Sequence, residues 1–365
     1  MKDYDYSADV CIVGAGPGGA LLAYLLASHQ ISTILIERNE HINKEFRGEH
    51  LNEMGEEILK KYGLFEELEK IGLLRMDKVE YWDHGQVIKT ILPDKKVGHV
   101  GIHVPQKHLL GLLLEKSEAF SDYHLLLNTK VVGLVEEDGH YIGVKAIKEG
   151  KEIVIKSSLI VGADGRFSTV RQLAEFPVIK IHHGYDLLWA RIPAPAAWEP
   201  TIRMALVDNE QLALFTQQGG FIQIGWNISE GSFSKLRKQS HAPFVRKLIE
   251  AFPELEQSVM ENIRSWHNFV LLQVQSSKSE TWINDHVVII GDAAHTMSPT
   301  GAFGINSSMK DADVLFQILY HSRSIHGIGP AELKQFEQSR RQEVEAEQAT
   351  QLVKEASFGK QFTPV

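Results

Sequence analysis

The chain has 365 residues, enough for a sizeable core and, on length alone, for two domains. Its 43% hydrophobic and 23% charged content is that of a soluble globular protein, and a net charge of −9 without any Lys/Arg block argues against a nucleic-acid or anionic-membrane partner. No apolar run is long enough to span a bilayer, the start MKDYDYSADV lacks the regions of a signal peptide, and the single cysteine, Cys11, lies in an apolar run, so a reducing cytoplasm is expected.

The first apolar run, Val10 to Val13, meets Gly14, Gly16, Gly18 and Gly19. A helical pattern follows, then a second run ending in Glu37 and Arg38. This is the order strand, glycine turn, helix, strand, acid that holds a dinucleotide. Gly14 permits a tight turn, Gly16 lets the backbone approach a pyrophosphate, and Gly19 lets the helix pack on the strand. The helix N-terminus turns its free N–H groups and positive dipole end toward the phosphates, and Glu37 is placed for a ribose diol. The motif alone does not choose between FAD and NAD.

Arg38 to His50 reads as loop, and 52–63 and 64–72 as two short helices stopped by Gly63 and Gly72. Strand patterns occupy 76–104, a helix opens at Gln106, and three strands form a meander through 130–165, with turns at Asp138-Gly139 and Glu149-Gly150. Residues 180–275 alternate as strands, with a helix carrying Phe244, Leu248 and Phe252; His182-His183 reads as strand-edge surface. WINDHVVIIGDAAH reads as one buried strand, and helix continues to about Ala356 with a break at 327–330. The segment 331–357 has a thin apolar stripe (Leu333, Phe336, Ala349, Leu352) and reads as a docked surface helix, with a membrane or partner helix as the alternative. The pattern divides into cofactor-binding pieces 1–74, 104–179 and 279–330, substrate-domain pieces 75–103 and 180–278, and a C-terminal segment 331–365.

Two more strand ends carry chemistry. Ser158 to Val161 runs into GADGRFSTVR, with Asp164, and Val287 to Ile290 runs into GDAAHTMSPTGAFGIN, with Asp292. NAD alone does not need these additional sites, whereas FAD must be gripped beyond its pyrophosphate. Asp164 and Asp292 read either as cofactor contacts or as caps of the helices that follow. Arg171 reads as a structural tie, and His295 equally as a buried supporting residue or a catalytic one. Pro299 and the stretch Gly301, Gly304, Ile305, Asn306 precede an apolar helical pattern. They offer backbone N–H groups at a helix start, where negative charge on a reduced flavin ring would be stabilised.

GAGPGG, FRGEHL (46–51), Gln106, GADGRFSTVR and GDAAH–PTGAFGIN together resemble the single-component FAD-dependent aromatic hydroxylases, a family that includes para-hydroxybenzoate hydroxylase and the hydroxylases of ubiquinone biosynthesis. The resemblance implies an α/β fold: a Rossmann-like FAD-binding domain in three ββα layers, an inserted mixed β-sheet substrate domain, and C-terminal helices. It implies non-covalent FAD, with Asp292 at the ribityl chain and Gln106 and Arg47 at the chain or phosphates. Asp164 would lie near the nicotinamide entry, and the Pro299 carbonyl would face the substrate. With one dinucleotide fingerprint, NADPH or NADH visits transiently, and Arg47 is the candidate for its phosphate or for gating the flavin. O2 is then consumed through a flavin hydroperoxide that inserts one oxygen into an aromatic or heteroaromatic small molecule.

The substrate pocket is expected from strands 185–226, with Arg203, Gln217, Gln223 and Trp226 as candidate contacts. No match exists to the tyrosine and arginine pattern that binds substrate in para-hydroxybenzoate hydroxylase. The 17 histidines show no metal-ligand spacing. Three other readings share these motifs: a flavin-dependent dehydrogenase or reductase without oxygen insertion, a halogenase (disfavoured, because no WxWxIP stretch is present), and a protein that holds FAD without turnover.

Overall fold

A computed structural model describes residues 4–42, 49–322 and 327–362. The fingerprint strand Tyr6–Val13 lies inside an eight-stranded sheet, pairing in parallel with Thr33–Ile36 on one side and Lys151–Gly162 on the other. Tyr123–Leu126 extends this parallel set beyond Thr33–Ile36, and Val287–Ile289 extends it beyond Lys151–Gly162. Strands covered on both faces read as unbroken apolar runs, and Val10, Cys11 and Ile12 are wholly buried. Burial pushes the Cys11 thiol up to about 12, which leaves it inert. Helices Pro17–Ala27 and Phe303–His321 pack against each other beside this sheet.

The meander is present as Thr129–Glu137, His140–Lys148 and Lys151–Gly162, paired antiparallel, and only its last strand enters the parallel set. Two local readings change. Tyr123–Leu126 is a strand that periodicity did not separate, because four residues after a helix are too few to show a period. WINDHVVIIGDAAH is a tight hairpin rather than one strand. Asp285, with φ +51°, turns Ile283–Asn284 back onto Val287–Ile289.

A second eight-stranded sheet gathers strands far apart in the chain. Lys78–Asp83 lies parallel to Thr201–Val207, so the segment 78–91 joins the strands of 178–279. Helix Ala242–Ala251 covers one face. Leu188, Ile192, Leu212, Leu214, Ile224 and Trp226 bury there with Leu248 and Phe252. The period of two sends Tyr185, Trp189, Phe215, Gln217 and Gln223 to the other face. His295–Thr296, from the third strand-end motif, pairs with Val270–Ser279 and ties the two sheets directly. A small sheet of His50–Leu51, Ile102–His103 and Leu74–Arg75 makes a second tie, where the Gln218 N–H donates to His103 Nδ1 at 3.1 Å.

Asp285 also fastens the meander. It meets His140 at 2.9 Å and accepts from the Tyr141 N–H at 2.7 Å. Burial alone would raise its carboxyl, but hydrogen bonds from His140, Tyr141 and His286 overcome that and hold it at about 2. The folded value is depressed. This fastening is therefore complete above the ordinary carboxylate range, near pH ~4, and is lost as pH falls through the folded value. Asp285→Asn should lower the thermal midpoint at neutral pH, with the wild-type and variant curves converging in acid. Curves that stay parallel across the acid range would show that this carboxylate contributes no pH-dependent stability.

Candidate active site

The three strand ends, at Gly14, Ala163 and Gly291, come together at one edge of the parallel set, where ligands of such sheets bind. The glycines divide into two kinds. A Cβ on Gly14 (φ +108°) would lie 2.4 Å from the Ala163 carbonyl oxygen, and one on Gly19 would lie 2.0 Å from the Gly14 carbonyl oxygen. A Cβ on Gly18 would lie 2.4 Å from Ser308 Oγ on helix Phe303–His321. These three are glycine because the protein packs against them. At Gly16 a Cβ meets no atom within 4 Å among the described residues. Gly16 is also the N-cap of helix Pro17–Ala27, with extended backbone and no side-chain cap. An uncapped helix start beside an open glycine fits a pyrophosphate.

Glu37 is 4% exposed. It accepts from the Ala15 N–H at 3.1 Å and from Asn39 at 3.0 and 2.6 Å, so it also fixes the glycine turn. Arg38 is exposed, and Arg47 lies outside the described residues. Gln106 is buried and opens helix Gln106–Glu118, its N–H donating to Glu49 at 3.1 Å.

Asp164 caps helix Thr169–Leu173. Its carboxylate accepts from the Ser168 hydroxyl and from the N–H groups of Thr169 (2.6 Å) and Val170 (3.1 Å), while burial still raises its pKa. Within the chain, then, this acid acts as a cap. Asp292 is partly exposed in the turn Gly291–Ala293. Arg171 donates to the carbonyls of Ala293 (2.9 Å) and Arg166 (2.7 Å), and so stitches the second motif to the third. His295 is buried and bonded to Asp311 at 2.7 Å, as a supporting residue would be.

In the loop before helix Phe303–His321, Gly301 (φ +78°) and Ala302 (φ +54°) are both left-handed, and no described side chain caps the helix. Pro299 and Gly304 are partly exposed and Ile305 is buried. Asn306 is wholly buried and works as a knot: it donates to the carbonyls of His50 (3.1 Å) and Ala302 (2.7 Å) and accepts from the Asn52 N–H at 3.2 Å.

The four substrate candidates separate by strand parity. Gln217 and Gln223 share the face away from the helix, hydrogen-bonded to each other at 2.5 Å and nearly buried. Arg203 and Trp226 lie on the helix-covered face, which corrects their placement at the pocket. Arg203 pairs with Glu80 and Glu254 and lies between the rings of Trp82 and Trp198, 4.8 and 3.7 Å from their centroids. Trp226 stacks on Phe244 with centroids 3.6 Å apart. Their packing accounts for both. The same face carries Tyr185, Trp189 and Phe215, which the sequence reading did not place beside the two glutamines. The signal was present: Ile222, Ile224 and Ile228 form the apolar alternate set in strand Phe221–Ser229, so they mark its core face and put Gln223 opposite.

A family profile described as an FAD binding domain matches residues 7–351, nearly the whole chain. The chain belongs to this family of single-component FAD-dependent monooxygenases. It is 32% identical over 314 residues to the 6-methylpretetramide 4-monooxygenase of Streptomyces rimosus, covering 85% of this chain and 75% of that one. It is 24% identical to the digeranylgeranylglycerophospholipid reductase of Methanocaldococcus jannaschii, covering 92% and 83%. Among solved structures, PqsL of Pseudomonas aeruginosa superposes with a TM-score of 0.82 at 20% identity, covering 96% of both chains. The protein is thus a flavoenzyme with FAD as cofactor and an α/β fold with Rossmann-like connectivity.

The open and packed glycines give the monooxygenase a direct test. Gly16→Val should leave apoprotein stability within about 1 kcal/mol of wild type and weaken FAD binding at least tenfold. Gly19→Val should unfold the apoprotein at lower denaturant. Wild-type FAD affinity in Gly16→Val, read by flavin fluorescence titration, would place the pyrophosphate elsewhere.

Proposed function

We propose that this enzyme hydroxylates a phenolic, polycyclic aromatic molecule, using NAD(P)H and O2. The observation that carries the reading is the sheet face opposite helix Ala242–Ala251. Trp189 and Phe215 lie there with ring centroids 6.1 Å apart, Gln217 and Gln223 form a buried amide pair beside them, and Tyr185 at one end contacts Thr300 of the PTGAFGIN loop. Flat apolar rings with a few polar groups suit an extended aromatic. The relative from Streptomyces rimosus, named as a 6-methylpretetramide 4-monooxygenase, supports the oxygenase chemistry of this reading.

In this reading residues 75–103 and 180–278 form the substrate domain and the remaining pieces the cofactor side. When bound, FAD would relay the reducing equivalents of NAD(P)H to O2 and so supply the activated oxygen. The protein's part is to bind, orient and exclude water. Gly16 and the start of helix Pro17–Ala27 take the pyrophosphate, Glu37 a ribose, and Asp292 the ribityl chain. The N–H groups of Gly301 through Asn306 meet the pyrimidine edge of the ring, where an uncapped helix start favours negative charge. Gln106 contacts the ribityl chain or the phosphates. The Pro299 carbonyl accepts a hydrogen bond from the substrate phenol, which makes that ring more electron-rich, while Gln217 and Gln223 hold its far polar edge.

A second reading, reduction of a double bond without oxygen, is favoured by the likeness to the archaeal reductase. Oxygen decides between them. With NADPH or NADH and a panel of polycyclic phenols, an accelerating compound should consume O2 in step with a product heavier by one oxygen atom. Product formed at full rate under anaerobic conditions would favour the reductase. Asp292→Ala should lose FAD on gel filtration, and full retention would remove that carboxylate from the ribityl chain.

A further inference from the structure

The PTGAFGIN loop is held by more than its own motif. Helix Pro330–Ser357 runs past it and grips the residues on both sides of Pro299. Gln351 accepts from the Ser298 N–H at 3.2 Å and donates to the carbonyls of Ser298 and Thr300, each at 2.7 Å. One turn further, Glu355 accepts from the Ser298 hydroxyl at 2.6 Å and the Tyr185 hydroxyl at 3.0 Å, and its other oxygen meets His183 Nδ1 at 2.6 Å. Tyr185 also lies 3.1 Å from Thr300 Oγ1, and His183 reaches Ser276 Oγ at 2.7 Å. The helix therefore holds the loop and the substrate sheet with two neighbouring side chains.

The loop needs such support. Its backbone is left-handed at Gly301 and Ala302, and Pro299 has no N–H to bond. Without an outside partner, nothing in that local conformation sets the loop's height against a ring lying on it. A carboxylate receiving three donors and an amide using both its ends are also costly to bury unless every bond is made.

We propose that Gln351 and Glu355 are positioning residues of this monooxygenase, setting Pro299 through Ala302 against the flavin ring and coupling that setting to the substrate sheet through Tyr185. The proposal rests on the reading that this loop faces the ring. Misplacement of preorganised donors by a fraction of an ångström weakens their hold on developing charge. The bracket therefore tunes how readily bound flavin accepts electrons, and not only how stable the fold is.

The test uses purified holoenzyme of wild type, Gln351→Leu, E355Q and the milder Tyr185→Phe. FAD content is measured first, then the midpoint potential of the bound flavin by equilibration with a reference dye. E355Q leaves one carbonyl oxygen where three donors converge. Gln351→Leu and E355Q should shift the reduction equilibrium at least tenfold toward oxidised flavin, about 30 mV for a two-electron couple. Tyr185→Phe should shift it the same way by less. Potentials equal to wild type in every flavin-bound variant, whatever happens to the melting temperature, would overturn the proposal. Wild-type protein without flavin would instead overturn the functional reading on which it rests.

Discussion

One buried carboxylate organises the meeting of the third strand-end motif with the two long helices that follow it. Asp311 has no solvent exposure and takes three donors: the Gly291 N–H at 2.7 Å, His295 at 2.7 Å, and Arg340 Nε at 2.8 Å. Burial alone would favour its neutral form, but His295 and Arg340 hold its pKa below the usual carboxylate value. A buried charge stripped of one partner costs several kcal/mol. Helix Phe303–His321, the third strand-end motif and helix Pro330–Ser357 are therefore locked in one arrangement. Arg340 extends the lock to Ser307 at 2.9 Å, near the start of the helix that follows the PTGAFGIN loop.

The glycine turn and the parallel strands were readable in the sequence because their constraints are steric and local. Gly14 and Gly19 are glycine because backbone atoms leave no space for a Cβ, and the parallel strands announce themselves as apolar runs. The second sheet was less readable because strand parity is a relation between neighbouring strands. Arg203 and Trp226 have the chemistry of pocket residues and the positions of core residues. Only register, with Arg203 opposite Leu214 and Trp226 opposite Leu212, shows which face they share.

The last long helix was legible as a docked helix but not in what it docks. Its apolar stripe looked thin because the buried face changes character along its length. Leu333, Phe336 and Val344 are buried, but so are Arg340, Gln348 and Gln351, while Leu352 is exposed. Gln348 donates to the carbonyls of Ser277 and Thr296, which pair with each other at the edge of the second sheet. A hydrophobicity pattern registers such a face as solvent-directed. His183 misleads in the same way: beside exposed His182 it reads as surface, yet its ring is enclosed between Glu355 and Ser276. Polar residues that serve polar backbone leave no periodic mark. The relatives carry the same lesson at larger scale, since a protein named as a monooxygenase and one named as a reductase both match most of this chain.

Helix Pro330–Ser357 also bears on how the protein is made. The glycine turn at Gly14–Gly19 leaves the ribosome early, but its strand waits for Lys151–Gly162 to emerge before gaining its second neighbour. The opposite wall, at Ser298 and Thr300, waits longer still, for Gln351. The loop beside Pro299 therefore takes its final fastening from a residue 53 positions further along the chain than Ser298.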